Sequence, residues 1–314
     1  MEKIKIGVSA CLIGEKVRYD GAHKQDCYIT DTLGRYVDLV PLCPEVEYGL
    51  PVPREPMRLV GAPENPRLVT IRTNIDHTEG MKKWAKGRLN ALAKEGLCGF
   101  IFKSRSPSSG MQGVKVYNEK GVPSKSGVGI FAGAFTKRFP LIPATDDERF
   151  NDPVLRENFI ERVFVFHRWL EFLKKGGRAG NILEFHTNHK LLMLTHSPKH
   201  TAALDRYMAG PKCYAGQLND VYIETMMDGL QLMATTKKNT NALSHITGYF
   251  KKQLTVGEKQ ELLEIIEDYH KGLIPLIVPI TILNHYAKKY DQPYLKKQLY
   301  LNPHPLEVML RNHI

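Results

Sequence analysis

Cysteine is scarce in this chain and odd in number: five among 314 residues. An odd, scattered set is poor material for a disulfide framework and better material for metal binding or catalysis. Long apolar runs are also missing. The longest, residues 273–283, is interrupted by Pro275 and Pro279 and is far too short to cross a bilayer. The first seven residues carry Glu2 and alternate like a strand, with no apolar segment of signal-peptide type. A cytoplasmic protein without membrane contact is the expectation. There is no internal repeat and no low-complexity tract. With 42% apolar and 25% charged residues, disordered, collagen-like and coiled-coil chains are excluded. Acidic residues are in deficit: 33 Asp and Glu against 44 Lys and Arg, a net charge of +11. Divided after residue 150, the chain carries +6 and +5, so the excess is not a detachable basic tail. Two moderately basic halves suit a polyanionic partner; surplus solvated lysine is the blander alternative.

The length allows two domains. Residues 3–9 alternate apolar and polar and lead directly into Ala10-Cys11-Leu12-Ile13-Gly14. Further strands are expected at 38–41, 68–72, 99–103, 128–132 and 139–142. An amphipathic helix is expected over 77–96, capped by Thr78 and stopped by Gly96. Strands alternating with helices predict an α/β fold: an open, mainly parallel, Rossmann-like sheet over residues 1–148, with its loops gathered at the strand C-terminal ends. The character then changes. Asn151-Asp152-Pro153 is a good helix start. Apolar residues at helical spacing predict helices over 154–175, 182–195, 199–208, 216–233 and 240–254. Thr255 to Glu258 matches a capping box before another helix that ends near Gly272. Residues 149–314 read as an all-α domain.

Cys11 follows the first strand and Cys43-Pro44-Glu45 follows the second, so both lie where an open α/β sheet collects its active-site loops. Cys98 opens an apolar strand, where a small filler is the expected role. Cys27 and Cys213 have no partner at metal-ligand spacing. The segment Lys103-Ser104-Arg105-Ser106-Pro107-Ser108-Ser109-Gly110 leaves a strand rich in hydroxyls and small residues. Such a loop presents backbone N–H groups and oxygens to an anion or cofactor, or is simply a polar turn.

Ala10-Cys11-Leu12-Ile13-Gly14 with Val17-Arg18-Tyr19-Asp20-Gly21 resembles the opening motif of the TudS-like thiouracil desulfidase family. Leu42-Cys43-Pro44-Glu45 resembles its second motif and residues 103–110 its third. The helical half, with Asn188-His189-Lys190, His196-Ser197-Pro198 and Tyr249-Phe250-Lys251-Lys252, resembles the accessory domain of RudS-like fusions, which remove sulfur from 4-thiouridine in tRNA. The resemblance implies a [4Fe-4S] cluster on three cysteines, two of them at Cys11 and Cys43. The third motif of the family reads Ser-Pro-Ser-Cys-Gly, so here Ser109 stands at the third ligand position. A hydroxyl is a hard, high-pKa donor where such clusters take soft thiolates. The resemblance therefore implies weak or incomplete cluster binding and impaired activity. A departure of one residue in an intact motif reads either as a substitution that disables a working enzyme or as a divergent family member.

The implied reaction is non-redox, hydrolytic desulfuration. Glu45 would be the acid/base, Ser104 or Ser106 the hydroxyl that positions water or base, and Arg18, Tyr19, Asp20 and Ser108 the substrate-binding residues. Asp20 and Arg18 also read as a turn pair with Gly21. In the helical half, Lys174, Lys175 and Arg178 bracket a Gly-Gly turn, and Lys237, Lys238, Lys251 and Lys252 add two basic pairs beside Tyr249 and Phe250. Phosphate contacts and base stacking on tRNA are one reading of these residues; solvated helix ends that offset the dipole are the other. His186, His189, His196 and His200 cluster within fifteen residues, and hydrogen-bonding histidines are expected there ahead of metal ligands. Two alternatives stand beside a tRNA desulfidase: an enzyme for free thiouracil-type bases whose helical half makes a homodimer, and a non-catalytic binder of thiolated RNA.

Overall fold

The computed structural model describes residues 3–177, 179–210 and 215–312. Packing divides the chain into residues 1–167 with 310–314, and residues 168–309. In chain order the N-terminal unit runs β1 (Lys5–Ser9), β2 (Asp38–Leu42), α1 (Pro44–Tyr48), β3 (Met57–Val60), β4 (Arg67–Thr70), α2 (Thr78–Leu92) and β5 (Leu97–Phe102). It continues with β6 (Val114–Tyr117), β7 (Pro123–Gly127), α3 (Ile130–Arg138), β8 (Ala144–Asp146), α4 (Asp147–Phe150) and the first part of α5 (Pro153–Lys174).

Four strands make a wholly parallel sheet in the order β2-β1-β5-β8. This is the α/β fold expected from the sequence. Every residue of β5 is buried, as a strand covered on both faces requires. On one face Phe100 and Phe102 stack at 4.1 Å and pack with Phe131 and Phe135 of α3 and with Ala85, Leu89 and Leu92 of α2. On the other face the backbone of Gly99 meets α5 closely. A Cβ there would lie 2.8 Å from Val163 and 3.1 Å from Phe159, so the early turns of α5 pack with this sheet.

The sequence reading did not foresee the second sheet, β4-β3-β6-β7, which mixes parallel and antiparallel pairs. Its short strands bury Leu59, Leu68, Val114 and Val116 against Met81. Residues 128–132, expected as a strand, instead open helix α3, and residues 139–142 lie outside the strands, with β8 starting at Ala144. The apolar run in 128–132 has strand propensity, but packing of α3 on the sheet outweighs it. Thr78 is the first residue of α2 and not its cap: Asp76 Oδ1 accepts the Thr78 N–H at 2.9 Å, and Thr78 Oγ1 accepts from Leu68 N at 2.8 Å.

Beyond α5 every described element is helical: α6 (Ala179–His196), α7 (Pro198–Ala209), α8 (Ala215–Gln231), α9 (Thr236–Thr247), α10 (Val256–His270), α11 (Ile277–Lys289), α12 (Pro293–Lys296) and α13 (Pro305–Asn312), the last of which crosses back into the first unit at Leu310. The expected capping box at Thr255 and Glu258 is present. Residues 273–283 read from sequence as an interrupted apolar run, yet most of them belong to α11. Pro279 falls in its first turn, where a missing N–H costs no helical hydrogen bond. No described helix is long and apolar enough to cross a membrane.

The histidines of α6 are structural. Buried His189 donates through Nδ1 to Phe185 O at 2.7 Å, and its Nε2 accepts from Arg168 Nε at 3.1 Å. Protonation would set a second cation against the guanidinium. Burial and Arg168 hold its pKa well below the usual histidine value, and burial also lowers that of His186, against the pull of Asp205. His189 stays neutral in the fold and gains its proton on unfolding, and His186 takes up its proton at a lower pH in the fold than in the unfolded chain. Stability is therefore complete above about pH 6.5 and falls below it by up to about 1.4 kcal/mol per pH unit for each histidine. Urea midpoints followed from pH 8 to 5 should show this loss while the His189 ring fails to titrate in NMR spectra.

Candidate functional site

The C-terminal ends of the parallel strands converge on one cavity of about 410 Å³, within the usual range for small-molecule sites. β1 runs into a short 3-10 turn that carries buried Cys11. β2 runs into Cys43, the N-cap of α1, whose first turn holds Glu45. β5 runs into the loop of residues 103–110. Cys11, Cys43, Glu45, Ser104, Ser106 and Ser109 all line the cavity, with Arg18 and Tyr19 on its wall. Residues far apart in sequence meet here because parallel strands all deliver their following loops to one edge.

Glu45 is buried and held from several sides. Its Oε1 accepts from Ser108 Oγ at 2.6 Å; its Oε2 accepts from the Cys43 thiol at 3.4 Å and lies 3.8 Å from the Arg54 guanidinium. Arg54, itself almost fully buried, also donates to Val17 O at 2.9 Å, tying the 17–19 segment to the carboxylate. Burial, opposed by Lys103, pushes the Cys11 thiol up to about 11. Burial and the Glu45 carboxylate push Cys43 up to about 12. Both thiols are neutral near pH 7, which does not suit a free thiolate nucleophile.

The 103–110 loop is clamped. Asp147, the first residue of α4 directly after β8, accepts the Ser104 N–H at 2.6 Å and pairs with the Lys103 ammonium; Lys103 N donates to Ser9 Oγ at 2.8 Å. At the other end the first amides of α3 donate into the loop. Gly129 N reaches Gly110 O at 2.8 Å, Ile130 N reaches Pro107 O at 3.2 Å, and Phe131 N reaches Ser108 O at 2.9 Å. Only glycine fits at 129, since a Cβ would lie 2.5 Å from the Ser108 carbonyl. Ser106 Oγ accepts from the N–H groups of Ser108 and Ser109 and pairs with Ser108 Oγ at 3.0 Å.

Several expected roles change. Ser108 is fully buried and does not line the cavity; its hydroxyl is turned onto the Glu45 carboxylate. Asp20 is exposed and outside the cavity wall, where it accepts from Ala22 N and pairs with Arg18 at 3.4 Å, fixing a turn. In the helical unit Lys238 Nζ is bound to His196 O at 2.6 Å and Met233 O at 2.9 Å, so it ties backbone carbonyls together. Phe250 is completely buried, and Tyr249 stacks on Tyr294 at 5.3 Å. Lys174 pairs with Glu171, whereas Lys175, Lys237, Lys251 and Lys252 are exposed. Arg178 and Cys213 lie outside the described residues. Sequence reasoning missed Arg54 and Asp147. Arg54 sits in a proline-rich turn with no periodic pattern, and Asp147 acts only through the parallel pairing of β5 with β8.

The donor set can be tested against an iron–sulfur cluster. Cys11 and Cys43 supply two thiols to one cavity, and the third position facing it, Ser109, supplies a hydroxyl lying 3.4 Å from Ser108 Oγ. Among the described residues no three His, Cys, Asp or Glu side chains gather as a metal-binding group. The set fits a cluster at two positions and not at the third, one thiolate short of a three-cysteine site.

Residues 6–147 match the family model described as 2-thiouracil desulfurase, and residues 190–305 match that of a protein family of unknown function, DUF1722. The chain is 29% identical over 168 residues to the uncharacterized protein YbgA of Escherichia coli (strain K12), spanning 52% of this chain and 96% of that protein. Among solved structures it is similar to the [4Fe-4S]-dependent thiouracil desulfidase TudS, at 32% identity over 48% of this chain and 95% of that one, with a TM-score of 0.40. The chain thus joins a thiouracil-desulfurase-like segment, which contains every cavity-lining residue named above, to a DUF1722 segment.

Replacing Asp147 by alanine leaves the Lys103 ammonium and the Ser104 N–H without their acceptor in a largely buried setting. A loss of about 3 kcal/mol is expected in urea denaturation. Asp147→Asn keeps an acceptor for Ser104 N and should lose less.

Proposed function

We propose that this chain is a tRNA 4-thiouridine desulfidase that converts the thiolated base to uridine by hydrolysis, and that Ser109 leaves it impaired. The observation that carries this reading is the convergence of Cys11, Cys43, Glu45 and the 103–110 loop on one base-sized cavity, inside the segment that matches the desulfurase family. The overall change consumes one water: oxygen takes the place of sulfur on the ring carbon, and sulfur leaves as hydrogen sulfide. Electrons need no carrier.

The chain's own residues handle position and protons. Glu45 lines the cavity with Oε2 beside Cys43 and takes a proton from the attacking water, returning it to the departing sulfur or the ring nitrogen. Ser108 and Arg54 hold that carboxylate in place. Of the two candidate serines, Ser104 suits the substrate better. Its oxygen accepts from Lys103 Nζ at 2.9 Å, leaving its own proton to donate into the cavity, whereas Ser106 Oγ is occupied within the loop. A cysteine at position 109 would complete three thiolates around the same cavity.

A 4-thiouridine base in folded tRNA is stacked and must be drawn out to reach such a cavity. That requirement gives the helical unit its role: holding the RNA through exposed cations such as Lys175, Lys237, Lys251 and Lys252, with Tyr249 beside them. The net charge of +11, divided between both halves, supports the same partner.

Anaerobic reconstitution of the Ser109→Cys form is expected to raise bound iron, add absorption in the iron–sulfur charge-transfer region and release sulfide from 4-thiouridine tRNA. No gain in iron or sulfide would sink this reading. Turnover of free 4-thiouracil without turnover of tRNA would favour the free-base enzyme, and tight binding of thiolated RNA without sulfide would favour the binder. Charge reversal at Lys251 and Lys252 should weaken tRNA binding and flatten its salt dependence by about 1 per lost phosphate contact, leaving free 4-thiouracil turnover intact.

A further inference from the structure

A second, larger cavity of about 900 Å³ adjoins the candidate site and shares Met57, Ser104, Arg105, Pro107 and Glu148 with it. One side of it is the outer face of the mixed sheet. Strand alternation explains why. Leu59 of β3 is in register with Val116 of β6, and both point into the core with Val114. Their neighbours Arg58 and Lys115 therefore face outward, and Lys125 of β7 adds a third cation to the same cavity.

The charge of this cavity is unbalanced. Its lining includes five basic side chains and the acids Asp146 and Glu148. Both acids are engaged: Asp146 accepts the Arg149 N–H at 2.9 Å, and Glu148 pairs with Arg105 at 2.9 Å. Arg58, Lys115 and Lys125 make no ion pair among the described residues. The Arg58 guanidinium lies over the Tyr117 ring at 5.4 Å, and its Nε is buried without a hydrogen-bond partner. A buried, unpaired guanidinium N–H is costly unless an acceptor arrives.

We propose that this face is an RNA track, on which the phosphates flanking the target nucleotide bind Arg58, Lys115 and Lys125 while its base enters the adjoining site. The inference rests on the tRNA reading above and places an RNA contact on the N-terminal unit itself. Continuity decides between partners. A polyanion with a side group that enters the base-sized cavity uses both cavities at once, whereas an acidic polypeptide gains nothing from the connection.

The test uses the full chain and a fluorescein-labelled single-stranded RNA carrying one 4-thiouridine, titrated by anisotropy at several salt concentrations. Lys115 and Lys125 are exposed strand residues, and an unchanged urea midpoint verifies that the Lys115→Gln/Lys125→Gln form is folded. The double variant should bind about tenfold more weakly near 0.1 M salt, and its log–log salt slope should shrink by about 1.4, two phosphates at about 0.7 each for a single strand. Lys94→Gln, an exposed lysine outside both cavities, should change neither. An unchanged slope in the double variant, or the same loss per lysine from Lys94→Gln, overturns the track and leaves the desulfidase reading standing. Polyglutamate bound as tightly as RNA, with the same loss in the double variant, overturns it in favour of an acidic protein. If the unsubstituted chain fails to bind RNA even at low salt, the tRNA reading falls and the track with it.

Discussion

The candidate site depends on one constraint: the loop between Lys103 and Gly110 must hold a single conformation. Left alone, a run of serines with one proline and one glycine has no reason to do so. Three neighbours impose it. Helix α3 spends its first backbone amides on the carbonyls of Pro107, Ser108 and Gly110, Asp147 takes the Ser104 N–H, and Glu45 takes the Ser108 hydroxyl. A neutral hydrogen bond contributes about 1 kcal/mol net and one to a charged group about 1.5–3. The two carboxylate contacts therefore outweigh the backbone ones individually, and they also connect the loop to β2 and β8. Fixing the loop fixes Glu45 in return.

That reciprocity shapes the electrostatics. Glu45 stands, itself buried, between a cation, a hydroxyl donor and a thiol in the cavity wall. Its carboxylate raises the Cys43 thiol beyond what burial alone produces. Cys11 feels the opposing field of Lys103, and burial still prevails. A pair of neutral thiols, one buried and one half-buried, is an inert arrangement by itself; a thiophilic cation held there would favour their thiolate forms. At the third corner Ser109 does not respond in this way, since a serine hydroxyl gives up its proton far less readily and offers a hard oxygen.

Legibility in the sequence followed the range of the interactions involved. Much of the helical half was readable, because the 3.6-residue spacing of Phe159, Val163, Phe166 and Leu170, and the local Thr255–Glu258 box, are written in neighbouring positions; but α9 runs Thr236–Thr247 where 240–254 was expected, and α11 to α13 were not foreseen. β1 was readable as an alternation of apolar and polar residues, and β2 and β5 as short apolar runs. Of the mixed sheet only β4 was anticipated, at 68–72; β3, β6 and β7 have charged or polar residues among few apolar ones and read as loops. Residues 128–132 misled for a related reason: β-branched and aromatic side chains suggest a strand, while the backbone is recruited into α3 by the loop it holds. Lys238 read as a surface cation, and only the approach of α6 and the α8–α9 connection turned its ammonium onto carbonyls.

Sequence by itself determined the class of fold, the residues at the ends of β1, β2 and β5, and the serine at 109. Each of these is a local fact, or a motif whose residue types carry their chemistry wherever they fold. Tertiary structure decided which side chains act together. It brought Arg54 to Glu45 across a turn, drew Ser108 out of the cavity to brace that carboxylate, reduced Asp20 to a turn residue, and laid Arg58, Lys115 and Lys125 on one outer face beside the site. The physical reason is that burial and Coulombic contact depend on distance in space, and in a parallel sheet the neighbours that matter are dozens of residues apart along the chain.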